Sequence, residues 1–232
     1  MFKKGVIIAH RGIYDNIKIF ENTIESFNLA IQKKYIIELD VHLTKDKQLV
    51  VFHDYDTKRL LSKNMIVRES SYHELNKASK FHIPLLAEVL KIINNKVPIL
   101  IEIKHENKIG ILEQELMNIL KKYNGEYYIQ SFNPLTLWWL KKNYPNIITG
   151  QLSCCFGKKD YNPLKKYILK KMLLNPFSKP DFISYKYNEL SQKEIKKIKK
   201  KNITLLGWTV TSKEEYDKYI KLYDNLICEK FI

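Results

Sequence analysis

Ile36-Ile37-Glu38-Leu39-Asp40-Val41-His42-Leu43-Thr44-Lys45-Asp46-Lys47-Gln48-Leu49-Val50-Val51-Phe52-His53-Asp54 holds two β-rich runs either side of a polar turn, the pattern of a hairpin. A two-residue turn at Asp46-Lys47 sets Asp40 opposite His53. Directly opposed residues point to the same face with Cβ atoms about 5 Å apart. Glu38 shares that face, because side chains two apart on a strand project the same way. One hairpin thus gathers two carboxylates and an imidazole. A structural hairpin has no need of them, so the stretch reads as part of an active site.

Outward from this stretch, strands and helices alternate. Residues 5–9 form a buried-strand pattern ending at His10-Arg11-Gly12. Asn22-Thr23-Ile24-Glu25 has the form of a capping box with Asn22 as cap, and Ile24, Phe27 and Ile31 predict a helix over 23–34. After the hairpin, residues 55–83 are irregular and read as a small insertion. A helix opens at 84–90, and strands follow at 98–104, 127–132, 147–152, 181–185, 203–208 and 225–228. Helices fall between them at 110–123, 134–143, 163–174, 191–201 and 212–221. With the first hairpin arm counted as a barrel strand and the second as an extension, there are eight strands. That is the pattern of an α/β protein of the (β/α)₈ TIM-barrel type, in a single domain over 1–232. A doubly wound sheet alternates similarly, but no glycine-rich phosphate loop follows the first strand. No covering helix is expected after the last strand.

In the composition, 232 residues and 45% hydrophobic content describe a globular chain with a sizeable core. The net charge of +15 rests almost wholly on lysine, since arginine occurs only at Arg11, Arg59 and Arg68. Base and phosphate recognition favours arginine, so no nucleic-acid partner is expected. Cys154, Cys155 and Cys228 supply neither a disulfide framework nor a zinc site. No signal-peptide pattern and no apolar run of membrane-spanning length occurs, which predicts a cytoplasmic protein.

A barrel carries its site at the C-terminal ends of its strands. There the sequence puts His10 and Arg11, then Glu38 and Asp40, then Glu102 and Lys104, followed by Gln130 with Phe132, Tyr185 and Trp208. Three carboxylates without matching thiols suit a hard divalent cation, Mg²⁺ or Ca²⁺. Arg11 offers a planar fork to a phosphate, and Lys104 adds a point charge. His10 and His53 suit acid–base exchange near neutral pH. Trp208 and Phe132 suit an apolar wall for the substrate. His42, His73, His82 and His105 lack such company and read as structural. Glu21 either holds Arg11 or starts the helix.

These residues fall into a set: His10-Arg11-Gly12, Glu21-Asn22-Thr23, Glu38-x-Asp40-Val41, Thr44-x-Asp46, Val50-Val51-x-His53-Asp54, Pro84-x-x-x-Glu88-Val89-Leu90, Glu102-Ile103-Lys104, Gln130-Ser131-Phe132 and Trp208-Thr209-Val210. The set resembles the glycerophosphodiester phosphodiesterase family. The resemblance implies a (β/α)₈ barrel that hydrolyses glycerophosphodiesters to an alcohol and sn-glycerol 3-phosphate. It also implies a divalent metal at Glu38, Asp40 and Glu102 and an acid–base pair in His10 and His53. Phe20 departs from the family's usual proline, and Leu226-Ile227-Cys228-Glu229 from its usual Thr-Asp pair. Two alternatives stay open: hydrolysis of lysophospholipids at a membrane surface, and a non-catalytic phosphate-binding barrel. Leu164, Tyr167, Ile168 and Met172 form a helical stripe expected to pack on the barrel, with peripheral membrane contact left open, as is the oligomeric state.

Overall fold

The computed structural model describes residues 2–61, 63–104, 108–157 and 161–232; His105 lies outside them. Among the described residues nine strands, β1 (Ile8–His10), β2 (Ile36–Leu43), β3 (Leu49–Val51), β4 (Ile99–Ile103), β5 (Tyr127–Ser131), β6 (Thr149–Ser153), β7 (Phe182–Lys186), β8 (Thr204–Val210) and β9 (Asn225–Cys228), hydrogen-bond in the order β1-β9-β8-β7-β6-β5-β4-β2-β3, and β1 also pairs with β2. Eight of them form a ring of the (β/α)₈ type, and β3 is the extension that the hairpin reading expects. By its contacts the chain divides into two units, residues 9–127 and residues 1–8 with 128–232.

Residues 9–127 carry the end of β1 (Ile8–His10), α1 (Ile24–Gln32), β2 (Ile36–Leu43), β3 (Leu49–Val51), α2 (Tyr72–Ala78), α3 (Leu86–Ile93), β4 (Ile99–Ile103) and α4 (Ile111–Leu120). β2 and β4 run parallel with Ile37 beside Ile99 and Asp40 beside Glu102. Odd-numbered Ile37, Leu39 and Val41 are fully buried, as are Phe27 and Ala30 of α1 and Leu86, Val89 and Ile93 of α3. Burying each such large aliphatic or aromatic side chain contributes about 1.5–3 kcal/mol. Even-numbered Glu38, Asp40 and His42 therefore share the other face of β2.

Two local features differ from the sequence pattern, the hairpin register and the α1 cap. The hairpin pairs Val41 with Val51 and Leu43 with Leu49, so Asp40 lies opposite Phe52, whose N–H donates to the Asp40 carbonyl at 3.1 Å. Two-residue hairpin turns need positive φ at the first central residue or at both. Asp46-Lys47 has no glycine, and the chain instead makes a Thr44–Lys47 turn, the Lys47 N–H donating to the Thr44 carbonyl at 3.0 Å with Lys47 at φ 58°. The α1 cap is Thr23, not Asn22: Thr23 Oγ1 accepts from the Ser26 N–H, and the Thr23 N–H donates to Ser26 Oγ. Leu61, Val67, Leu75 and Ile83 of the insertion form a small core with Val50 and Phe52 of the hairpin's second arm.

Residues 128–232, joined by 1–8, carry β5 (Tyr127–Ser131), α5 (Pro134–Asn143), β6 (Thr149–Ser153), α6 (Pro163–Lys170), α7 (Asn175–Ser178), β7 (Phe182–Lys186), α8 (Gln192–Lys199), β8 (Thr204–Val210), α9 (Lys213–Tyr219) and β9 (Asn225–Cys228). Parallel registers set Gly150 beside Phe182 and Ile183 beside Leu205. A Cβ on Gly150 would meet the Phe182 ring at 2.0 Å, so this strand position requires glycine. Ile183, Leu205, Tyr223 and Leu226 anchor the core of this unit, and Phe231 and Ile232 pack against it after β9. Among the described residues no helix follows β9. The expected helix over 163–174 is shorter, and a second short helix, α7, succeeds it.

Candidate active site

The parallel register of β2 and β4 gathers the acids. Asp40 and Glu102 are direct neighbours across the two strands, and Glu38 sits one alternation behind Asp40. One oxygen of each of Glu38, Asp40 and Glu102 lies within 4.8 Å of those of the other two, and all three residues are buried. Lys104, just past β4, places Nζ 2.7 Å from Asp40 Oδ1 and 2.6 Å from Glu102 Oε1.

Burial pushes the Glu38 carboxyl well above the usual carboxylate range, and its neighbours Asp40 and Glu102 add to this. Burial acts in the same direction on Asp40, but Lys104, His53 and Arg11 outweigh it and hold that carboxyl far below the range. For Lys104 burial favours the neutral amine; the Asp40 and Glu102 carboxylates reverse this and keep it an ammonium.

Arg11 reaches the acids through a tight turn. Arg11 and Gly12 both take positive φ, 57° and 83°, and a Cβ on Gly12 would meet Ser26 Oγ at 2.5 Å. The Arg11 N–H donates to Glu38 Oε2 at 3.1 Å, Nη1 donates to Glu21 Oε1 at 2.8 Å, and Nε lies 3.3 Å from Asp40 Oδ2. Asn22, at φ 58°, donates from Nδ2 to Asp40 Oδ2 at 2.9 Å and accepts from the Asp40 N–H at 3.4 Å. Asparagine tolerates this backbone region better than most residues. Asn22 is thus a brace for Asp40 rather than a helix cap.

His53 follows β3 and is partly exposed, with Nδ1 2.6 Å from Asp54 Oδ1. Burial alone would raise the Asp54 carboxyl, but His53 and Arg59 keep it ionised well below the usual range. An ionised Asp54 accepts a hydrogen bond from Nδ1–H, the tautomer that leaves Nε2 free to take up a proton. Asp54 Oδ2 also accepts from Arg59 Nε at 2.6 Å, and Arg59 Nη1 and Nη2 donate to the two Glu21 oxygens at 2.8 and 2.6 Å. Glu21 binds Arg11 in turn, so a continuous line runs from His53 through a hydrogen bond to Asp54 and then by ion pairs through Arg59, Glu21 and Arg11 to Asp40. The buried His42 ring faces the His53 carbonyl, Nε2 at 3.1 Å.

Glu38, Asp40, Glu102, Arg11 and Lys104 are brought together as expected. His53 reaches them from beyond the strand end, not by pairing with Asp40. His10 closes β1, partly buried, immediately before Arg11. Sequence reasoning missed Asn22, Asp54 and Arg59, and read His42 as lacking such company. A signal existed for Arg59: the scarcity of arginine that singled out Arg11 applies equally to it. His73 is exposed, and the exposed His82 pairs with Glu88.

In the other unit, Phe132 follows β5 and Trp208 lies on β8; their rings meet edge to face at 5.6 Å. Trp208 Nε1 donates to the Ser184 carbonyl at 3.1 Å. Phe156 extends the series beside Phe132, and Tyr161 beside Phe156. Tyr185 is no part of it: the ring is buried in the core and its hydroxyl donates to the Lys170 carbonyl.

The acid cluster fits a hard divalent cation. It offers only carboxylate oxygens, and the buried Asp40 Oδ1 makes no hydrogen bond although Lys104 lies beside it as an ion pair. A (β/α)₈ fold with acids, paired histidine and cationic groups at successive strand ends defines a class: barrel enzymes acting on phosphate esters. The sequence model of the Glycerophosphoryl diester phosphodiesterase family matches residues 10–228, and the chain belongs to that family.

A glycerophosphodiester phosphodiesterase of Caldanaerobacter subterraneus subsp. tengcongensis is 32% identical over 234 residues, covering 94% of this chain and 90% of the relative. A human lysophospholipase D is 33% identical over 149 residues, 56% of this chain and 43% of that one. The crystal structure of a glycerophosphodiester phosphodiesterase from Thermotoga maritima superposes with TM-score 0.77 at 26% identity, covering 98% and 96% of the two chains.

Proposed function

We propose that this enzyme hydrolyses glycerophosphodiesters to an alcohol and sn-glycerol 3-phosphate. The observation that carries the reading is the β2–β4 register, which gathers Glu38, Asp40 and Glu102 within reach of one ion and beside Arg11 and Lys104. Glu38, Asp40 and Glu102 would hold one divalent cation, Mg²⁺ or Ca²⁺. When bound, it neutralises charge on the phosphate and acidifies a hydroxyl.

The chain's own groups do the rest. Arg11 and Lys104 bind and orient the phosphate oxygens. One of His10 and His53 takes the proton of the attacking hydroxyl; the other gives a proton to the oxygen of the departing alcohol as its bond to phosphorus breaks. Asp54 holds the His53 ring in the tautomer that can accept at Nε2. If a glycerol hydroxyl attacks, a cyclic phosphate forms first and water then opens it.

The test is glycerol 3-phosphate release from glycerophosphocholine, glycerophosphoethanolamine and glycerophosphoglycerol with Mg²⁺, Ca²⁺ or chelator. His10→Ala and His53→Ala are each expected to lower turnover by roughly 10²-fold or more with folding intact. Full activity in both variants refutes the assignment. A second reading, lysophospholipid hydrolysis, is favoured by the likeness to a lysophospholipase D and by an exposed apolar surface on α6 and α7. Release of the headgroup alcohol from a long-chain substrate separates the two.

A further inference from the structure

The stripe Leu164, Tyr167, Ile168 and Met172 turns inward only in part, Ile168 and Met172 being partly buried. Leu169 is buried and Met172 packs on the core, but Leu164 and Tyr167, one turn apart on another face, are 70% and 57% exposed. Leu173, Leu174 and Phe177 carry the exposed apolar surface on into α7. Of the ten large hydrophobic residues most open to solvent among the described residues, five lie between 164 and 177. Single exposed apolar residues need no explanation, whereas such a concentration marks an interaction surface.

The charge on the same segment says what covers it. Residues 163–179 contain five lysines (Lys165, Lys166, Lys170, Lys171 and Lys179) and no acid. Only Lys171 of these takes part in an ion pair among the described residues, with Glu194. A second copy of this chain would bring the same lysines against these and carries +15 overall, so self-association here is opposed by charge. Nucleic acid matches the charge, but the segment has no arginine, and leucine side chains offer nothing to a base edge. Apolar side chains projecting from a short helix and flanked by lysines match the boundary of an anionic bilayer, where acyl chains take the former and lipid phosphates the latter.

We propose that α6 and α7 form a face that docks the protein on an anionic lipid surface. Leu164, Tyr167 and Leu173 insert at the headgroup boundary while Lys165, Lys166 and Lys170 meet the phosphates. α6 begins in the loop after the C-terminal end of β6, and Tyr161, the last ring of the aromatic series from Trp208, immediately precedes its Asn162 cap. The proposal goes beyond the hydrolytic reading, and its deciding readout is binding to vesicles.

The experiment is co-sedimentation of the full chain with vesicles of phosphatidylcholine alone or with roughly a third phosphatidylglycerol, at low and high salt. Binding is expected only to the anionic vesicles and is expected to fall several-fold at high salt. Leu164→Ser/Tyr167→Ser and, separately, Lys165→Gln/Lys166→Gln/Lys170→Gln should each weaken it about tenfold, with unchanged melting temperature. The same variants should keep wild-type hydrolysis of water-soluble glycerophosphocholine. Failure of the wild-type chain to sediment with anionic vesicles overturns the proposal. So does undiminished binding by the folded Leu164/Tyr167 variant. A concentration-dependent dimer abolished by that variant, or oligonucleotide binding that displaces the chain from vesicles without sensitivity to it, would assign the face to another occupant and overturn it equally.

Discussion

Arg59 shows how a single side chain can organise a site from outside it. Its guanidinium joins Asp54 to Glu21, and so ties the group that orients His53 to the group that orients Arg11. Being partly exposed, it acts through geometry more than through stored electrostatic energy. Arg59→Ala should reduce kcat for glycerophosphocholine roughly tenfold, with little change in KM or melting temperature. Arg59→Lys should recover only part of the loss, because an ammonium cannot span both carboxylates as a fork does. Wild-type kcat in Arg59→Ala would show that the line of ion pairs does not position His53. The acids themselves were legible from the alternation of Glu38 and Asp40 on β2 and from the place of Glu102 near the C-terminal end of β4. Arg59 was marked only by the scarcity of arginine, and its partners were hidden because it lies in an insertion whose path no periodicity reveals.

The hairpin shows the element scale. Its existence and approximate span follow from the two β-rich runs, but its register depends on the turn. Leu43 pairs with Leu49 and Lys47 sits in the left-handed region, a position where a side chain costs about 1 kcal/mol. Lys47→Gly should therefore stabilise the fold by about 0.5–1 kcal/mol in urea unfolding, while leaving activity unchanged. Destabilisation by that substitution would mean the turn is held by contacts of the lysine stem instead. The one-residue difference in register would normally move every side chain to the opposite face. His53 escapes that consequence because it lies beyond the last paired residue, where the chain has left the ladder.

For the molecule as a whole, a buried acid cluster of this kind links metal binding to folding. An ion that binds only the native state stabilises it by about 2.7 kcal/mol at a hundred times its dissociation constant. The melting temperature should climb with Mg²⁺ or Ca²⁺ concentration, fall back with chelator, and become insensitive to both in Glu38→Gln/Glu102→Gln. Identical melting with and without either ion would remove the case for a cation at these acids. Apart from Lys104 and Arg11 at the acids, the large positive charge rests mostly on solvated lysines, and one concentration of it, on α6 and α7, coincides with exposed leucines.

The order of strands and helices, the barrel class and the residues at the ends of the first strands were fixed by the chain's own alternation and by its run of short motifs. These depend on neighbours two to four positions apart, which a sequence displays directly. The tertiary structure alone decided which strand lies beside which residue of the next, and so that Asp40 meets Glu102, that Asn22 braces an acid instead of capping a helix, and that Leu164 and Tyr167 face outward. Each of those is a contact, or its absence, set by how a segment packs against partners distant in sequence, and no local period encodes it.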